Sequence, residues 1–258
     1  MSAAAPQLES KAEQPIQGGP STLRAEDIGV RFQSLAALTD INLTLQRGEI
    51  FGLIGPNGAG KTTLVNCLTG FQRSSSGRVV LGERDTAGWG PDHFRKAGIA
   101  RTFQAGRLFK DMSVIENVEV AGVGMGLSRR EARRHGLALL TWLGIADKAE
   151  QTAGSLPYTD ERRVGIARAL MLSPAFVLMD EPAAGMSDAE CEDLMGLVSS
   201  MPALYGCGVL LIEHNMSVVM AVCARVHVLD GGRSVAEGTC QEIQNNPAVI
   251  GAYLGMEA

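Results

Sequence analysis

The segment GPNGAGKT at residues 55–62 fits the pattern G-x-x-x-x-G-K-[ST]. It stands between the apolar run Ile50, Phe51, Gly52, Leu53, Ile54 and a helix-like stretch ending at Gly70. A strand that turns through glycines into a helix N-terminus aims several backbone N–H groups, and the positive end of the helix dipole, at one point where phosphate oxygens can sit. Gly55, Gly58 and Gly60 are expected to allow close backbone approach, with Pro56, Asn57 and Ala59 between them and Thr63 following in the helix. Lys61 is placed to reach the β- and γ-phosphates as a flexible point charge. The Thr62 hydroxyl is placed to ligate the magnesium ion that bridges them. The segment predicts a site for a nucleoside triphosphate and Mg2+.

Four further residues have types suited to such a site. Asp180-Glu181 follows the apolar run Phe176 to Met179. An Asp there holds magnesium directly or through water, and the adjacent Glu accepts a proton from an attacking water. His214 follows Val209 to Ile212 and is placed to donate a hydrogen bond to the γ-phosphate. Gln104, in Arg101-Thr102-Phe103-Gln104, offers a neutral amide to ligate magnesium or position water, and to link the nucleotide to whatever docks nearby. His93, His135 and His227 lack this placement and are expected at the surface or in packing.

Positioning these groups requires strands that end at one edge. Strand-like runs alternate with helical ones, which predicts an α/β fold with a largely parallel sheet. Ligands of open parallel sheets lie beyond the carboxyl ends of the strands, so Asp180-Glu181, Glu213-His214-Asn215 and Asp230-Gly231-Gly232 are expected to face the nucleotide. Residues 21–50 alternate in short pieces and predict an antiparallel β region, to which Val79-Val80-Leu81-Gly82 returns. Residues from about 106 to 155 show helical periodicity at Leu137, Leu140, Trp142 and Leu143 without a strand candidate, and predict a helical insert.

Composition narrows the partners. The 258 residues carry a net charge of −5, which argues against nucleic acid as a partner. The basic group Arg129, Arg130, Arg133, Arg134 reads as a solvated helix face. Five widely spaced cysteines without a CxxC pair suggest a reducing compartment. No apolar stretch approaches the roughly 18 residues of a membrane-spanning helix. Residues 1–20, rich in Ala, Gln, Gly and Pro, read as a disordered tail.

Together these motifs resemble the ATP-binding subunits of ABC transporters over essentially residues 22–254: the loop at 55–62, Gln104, Val177 to Asp180 with Glu181, the segment Ala184 to Ser187, and His214. The resemblance implies an ABC-type nucleotide-binding domain at 21–258. Its parts are a P-loop core with a mostly parallel sheet, an antiparallel β subdomain and a helical subdomain inserted at about 106–170. It further implies ATP and Mg2+ as cofactors and Phe32 stacked on adenine. Residues of about 105–119 would meet the coupling helices of a membrane subunit, in an assembly with two transmembrane permease subunits and with the chain peripheral on the cytoplasmic face of the inner membrane. GPNGAGKTTLVNCLTGF, GIARTFQAGRLF, MSVIENV, DEPAAGM, LIEHNMSVVM and NNPAVIGAYLG are similar to the importer ATPases for branched-chain and other hydrophobic amino acids. That subfamily has relatives for urea, amides and aromatic acids, and it implies an extracytoplasmic solute-binding protein. ERRVGIARAL and MAVCARVHVL are similar to lipopolysaccharide-export ATPases, and a regulatory module with lost catalysis is a third reading. Intact Glu181 and His214 argue against the last.

One motif departs from the family. The signature, usually LSGGQ, reads Leu156-Pro157-Tyr158-Thr159-Asp160. In the family this segment caps the ATP held by a second subunit with a Ser hydroxyl and Gly N–H groups. Pro157 supplies neither, Thr159 replaces a Gly, and Asp160 is expected to bring a carboxylate near a polyanion. A heterodimer with a second, related ATPase subunit is therefore expected. Ser187, where many relatives have Asp, leaves the contact of its loop across the dimer open.

Overall fold

The computed structural model describes residues 19–103 and 107–254. Chain order begins with β1 (Thr22–Phe32), β2 (Leu35–Gln46), β3 (Ile50–Ile54), α1 (Lys61–Leu68), β4 (Ser76–Leu81), β5 (Arg84–Asp85), α2 (Pro91–Lys96) and β6 (Ile99–Arg101). Three helices follow, α3 (Val114–Val123), α4 (Arg129–Trp142) and α5 (Tyr158–Leu170). The chain continues through β7 (Phe176–Asp180), α6 (Asp188–Tyr205), β8 (Gly208–Ile212), α7 (Met216–Val222), β9 (Arg225–Asp230), β10 (Arg233–Thr239), α8 (Cys240–Gln244) and α9 (Pro247–Leu254).

The strands form two sheets. One is four-stranded with order β2-β1-β4-β5, and its pairs are antiparallel. The other is six-stranded with order β10-β9-β3-β8-β7-β6. Its pairs are parallel except β10 against β9. The antiparallel region and the return of residues 79–81 are as expected. The apolar runs of β3 and β8 are buried along their whole length, which suits strands covered on both faces.

Alternation along those strands divides the interior into two cores. Phe51, Leu53, Leu210 and Ile212 join the core beneath the antiparallel sheet and α1. Ile50, Ile54, Val209 and Leu211 join the core shared with α3 to α6. Each fully buried side chain of this kind stabilises by about 1.5–3 kcal/mol.

The expected insert is helical, and a bridge between Ser113 and Thr152, flanked by bonds from Ala153 N–H to Met112 and Val114 N–H to Gln151, ties its ends. Buried Ala132, His135, Gly136, Leu139 and Leu140 form the inward face of α4. Helix starts differ in kind. Ser113, Ser128, Ser187 and Thr239 close capping boxes with Glu116, Glu131, Glu190 and Glu242. By contrast α1, α2 and α5 begin at Gly60, Gly90 and Pro157 with no side-chain cap.

Candidate nucleotide site

The loop 55–62 joins β3 to α1, and Gly55, Gly58 and Gly60 all have positive φ (147°, 81° and 101°). Their surroundings differ from the sequence expectation. A Cβ on Gly55 would meet the Leu229 carbonyl oxygen at 2.0 Å, and one on Gly60 would meet Leu38 at 2.6 Å. These two glycines let the loop approach the protein behind it. Only around Gly58 is the space open. Asn57, Gly58 and Thr62 are exposed, Pro56 and Thr63 are partly buried, and Ala59 is buried.

Lys61 is buried along most of its length. Its ammonium donates to the carbonyls of Gly55 at 2.7 Å and Pro56 at 2.9 Å. Burial pushes its pKa below the ordinary value, while Glu181 and Asp180 pull the other way. The first N–H groups of α1 have no intrahelical acceptor and no side-chain cap, so the helix start suits an anion.

The strand ends bring the acidic residues to this edge. Asp180 closes β7, and its Oδ2 pairs with Nη2 of Arg101 at 3.0 Å. Glu181 follows with φ 47°, a conformation that costs about 1–3 kcal/mol in a non-glycine residue. Its N–H donates to Ile212 at 3.0 Å, which fixes it against β8. His214 is largely exposed, and its Nδ1 lies 3.9 Å from both Glu181 Oε1 and Glu213 Oε2.

Two of the three strand-end clusters depart from expectation. Glu213 is buried beneath the edge, accepting the Ala183 N–H at 2.9 Å. Gly231 and Gly232 form the turn between β9 and β10 behind the loop. Gly232 donates to Ala59 at 3.2 Å and accepts from Thr39 at 2.8 Å. Gln104 lies outside the described residues. Phe32 is exposed at the end of β1, opposite exposed Leu35.

The segment 156–160 runs into α5, with Leu156 buried and Pro157 and Tyr158 exposed. Thr159 is partly buried. Asp160 corrects the sequence reading. Its carboxylate is buried, bonded to Lys148 and 3.8 Å from Arg163, so its charge is neutralised inside the protein. Ser187 is committed to Glu190 of its own helix. Arg129 and Arg133 pair with Glu119, and Arg133 also with Glu150. His135 and His227 are buried and His93 is exposed, as expected for packing and surface residues.

The sequence places Glu213 and Gly232 at strand ends but does not show their packing roles, since burial and contact behind the loop leave no local pattern. It gives Arg101 no role, its signal being an arginine at the end of an apolar strand.

Comparison with known proteins agrees with this geometry. The ABC transporter family matches residues 38–184. A second pattern, described as branched-chain amino acid ATP-binding cassette transporter, matches residues 233–256. The chain is 40% identical over 248 residues to the high-affinity branched-chain amino acid transport ATP-binding protein LivG of Salmonella typhimurium, covering 90% of this chain and 97% of that one. Identity to BraF of Pseudomonas aeruginosa, of the same description, is 37% over 248 residues with the same coverage. The ADP conformation of MJ1267, an ATP-binding cassette of an ABC transporter, superposes with a TM-score of 0.82 at 30% identity, covering 90% of this chain and 98% of that one. With a match across more than half its length and close relatives along nearly all of it, the chain belongs to the ABC transporter family of ATP-binding cassettes, which hydrolyse ATP to power transport.

Proposed function

We propose that this chain is the ATP-hydrolysing subunit of an importer for branched-chain or other hydrophobic amino acids. On this reading it sits peripherally at the cytoplasmic face of the membrane, on two permease subunits served by an extracytoplasmic binding protein. The observation that carries it is the convergence of loop 55–62, Asp180, Glu181 and His214 at one sheet edge in a chain 40% identical to LivG. Among the described residues no helix is long and apolar enough to cross a membrane, so movement of a solute requires other subunits.

Phe32 stacks on adenine and the N-terminus of α1 receives the phosphates. Lys61 exchanges the carbonyls of Gly55 and Pro56 for phosphate oxygens, which are stronger, charged acceptors. The oxygens of Thr62 and Asp180, with Gln104, are a hard donor set suited to magnesium. The fit is supported by the exposed Thr62 hydroxyl and by an Asp180 already paired to a cation. Bound Mg2+ would neutralise charge developing on the phosphate oxygens. Glu181 accepts the proton of the attacking water, and its constrained backbone keeps the carboxylate at the strand end. His214 donates to the γ-phosphate.

Leu156 to Asp160 cap the ATP of a second, related ATPase subunit. With Asp160 neutralised by Lys148 and Arg163, the weakness of this cap lies in the missing hydroxyl at Pro157 and the side chain at Thr159. This chain's own site keeps its catalytic groups, which favours a heterodimer with one competent and one impaired site.

Reconstitution of the chain with its permeases, second ATPase and binding protein in liposomes tests the reading. ATP-dependent uptake of leucine, isoleucine or valine is expected. ATP hydrolysis that leaves these solutes outside would refute the importer assignment.

A further inference from the structure

Arg101 ends β6, and its side chain is 8% exposed. Nη2 donates to Asp180, Nη1 donates to Asn66 on α1, and Nε is buried with no hydrogen-bond partner. The guanidinium carbon stands 5.1 Å from the centre of the Phe103 ring and 5.9 Å from that of Phe71. Both rings, with Arg101 and Arg168, line a cleft of about 270 Å3. One side chain therefore touches the strand end that carries Asp180, the helix behind the phosphate loop, and the wall of the cleft.

A buried guanidinium is tolerated when it is paired, and a buried carboxylate likewise. Here each compensates the other, with Lys61 close enough to sense Asp180 as well. A dication on Asp180 changes that balance, because it attracts the carboxylate with twice the charge and repels the guanidinium. The two aromatic faces already lie within cation–π reach, so the arginine has a second seat on the side of the cleft.

We propose that Arg101 is a placeholder cation: it neutralises Asp180 until magnesium binds there with the nucleotide, then yields the carboxylate and leans on Phe103 at the cleft wall. Metal occupancy at Asp180 is thereby felt in the cleft. Arg101 is a positioning residue in this scheme, and the scheme rests on reading Asp180 as a magnesium ligand.

The test is a MgCl2 titration of the full chain at a saturating level of a non-hydrolysable ATP analogue. It is followed by thermal denaturation, with Mn2+ counted by electron paramagnetic resonance as a second readout. Arg101→Met and Arg101→Gln remove the competing cation, so the metal midpoint is expected to fall roughly threefold to tenfold. Their unfolding temperature without metal drops, and saturating metal narrows the gap. Arg101→Lys keeps the charge and the wild-type midpoint. The glutamine variant retains hydrogen bonding and serves if the methionine variant does not fold. An unchanged or raised midpoint in the foldable neutral variants overturns the placeholder role. If the wild-type chain itself binds nucleotide without any metal response, the reading of Asp180 fails, and the proposal with it.

Discussion

Glu213 and His214 are adjacent in sequence and opposite in exposure, one sealed beneath Ala183 and the other open at the strand edge. Burial pushes the Glu213 carboxyl above its ordinary value of 4.5, with N–H groups of Ala183 and His214 and the charge of His214 opposing and the charge of Glu181 adding. A carboxyl raised in the folded state holds its proton more tightly there than in the unfolded chain. Its contribution to stability is complete below the unfolded value and is lost as pH climbs through the folded one. Glu213→Gln keeps an acceptor for the Ala183 N–H and has no charge to bury. Thermal denaturation from about pH 4 to about pH 8 should show a flatter profile for the variant, with a gain near neutrality of about 2–4 °C per kcal/mol recovered. A variant less stable than wild type near neutrality, with an unchanged slope, would mean that the charged carboxylate stabilises this junction.

At the scale of elements, the β9–β10 hairpin supports the phosphate loop from behind. Gly232 has φ 75°, and a Cβ there would lie 2.4 Å from the Ala37 carbonyl oxygen. Gly232→Ala should cost about 1–3 kcal/mol in urea denaturation, from strain and displaced backbone. Because Gly232 also bonds Ala59 within the loop, the KM for ATP should rise severalfold. Wild-type stability with wild-type KM would show that the turn and the loop are not coupled. This hairpin was illegible in the sequence because β10, RSVAEGT, is a polar edge strand with no buried residue. The central strands β3, β7 and β8 were legible as apolar runs, since burial on both faces leaves little choice of residue. Asp180, Glu181 and His214 were legible as polar residues following apolar runs, and Lys61 as the residue that opens a helix after a glycine-rich loop. Arg101 and the inward turn of Asp160 were not, because the first depends on Asp180 and Asn66, far away in the chain, and the second on Lys148, which lies in a different element.

For the whole molecule, two uncapped helix starts define the proposed assembly, α1 receiving this chain's own nucleotide and α5 facing that of a partner. On this proposal the substitutions at Pro157 and Thr159 weaken only the second function. A homodimer would place the weak cap over both nucleotides, whereas pairing with a related subunit that has an intact signature leaves the site of Lys61 and Glu181 competent. The decisive measurement is the steady-state ATPase rate of the purified chain, alone and mixed with a second ATPase subunit of the same transporter. A slow rate alone is expected. Mixing should raise it, and Glu181→Gln in this chain should remove most of that gain, by roughly a hundredfold for loss of a general base. Rapid, cooperative turnover by the chain alone, or a gain that survives Glu181→Gln, would contradict a composite site whose chemistry comes from this chain and whose cap comes from another.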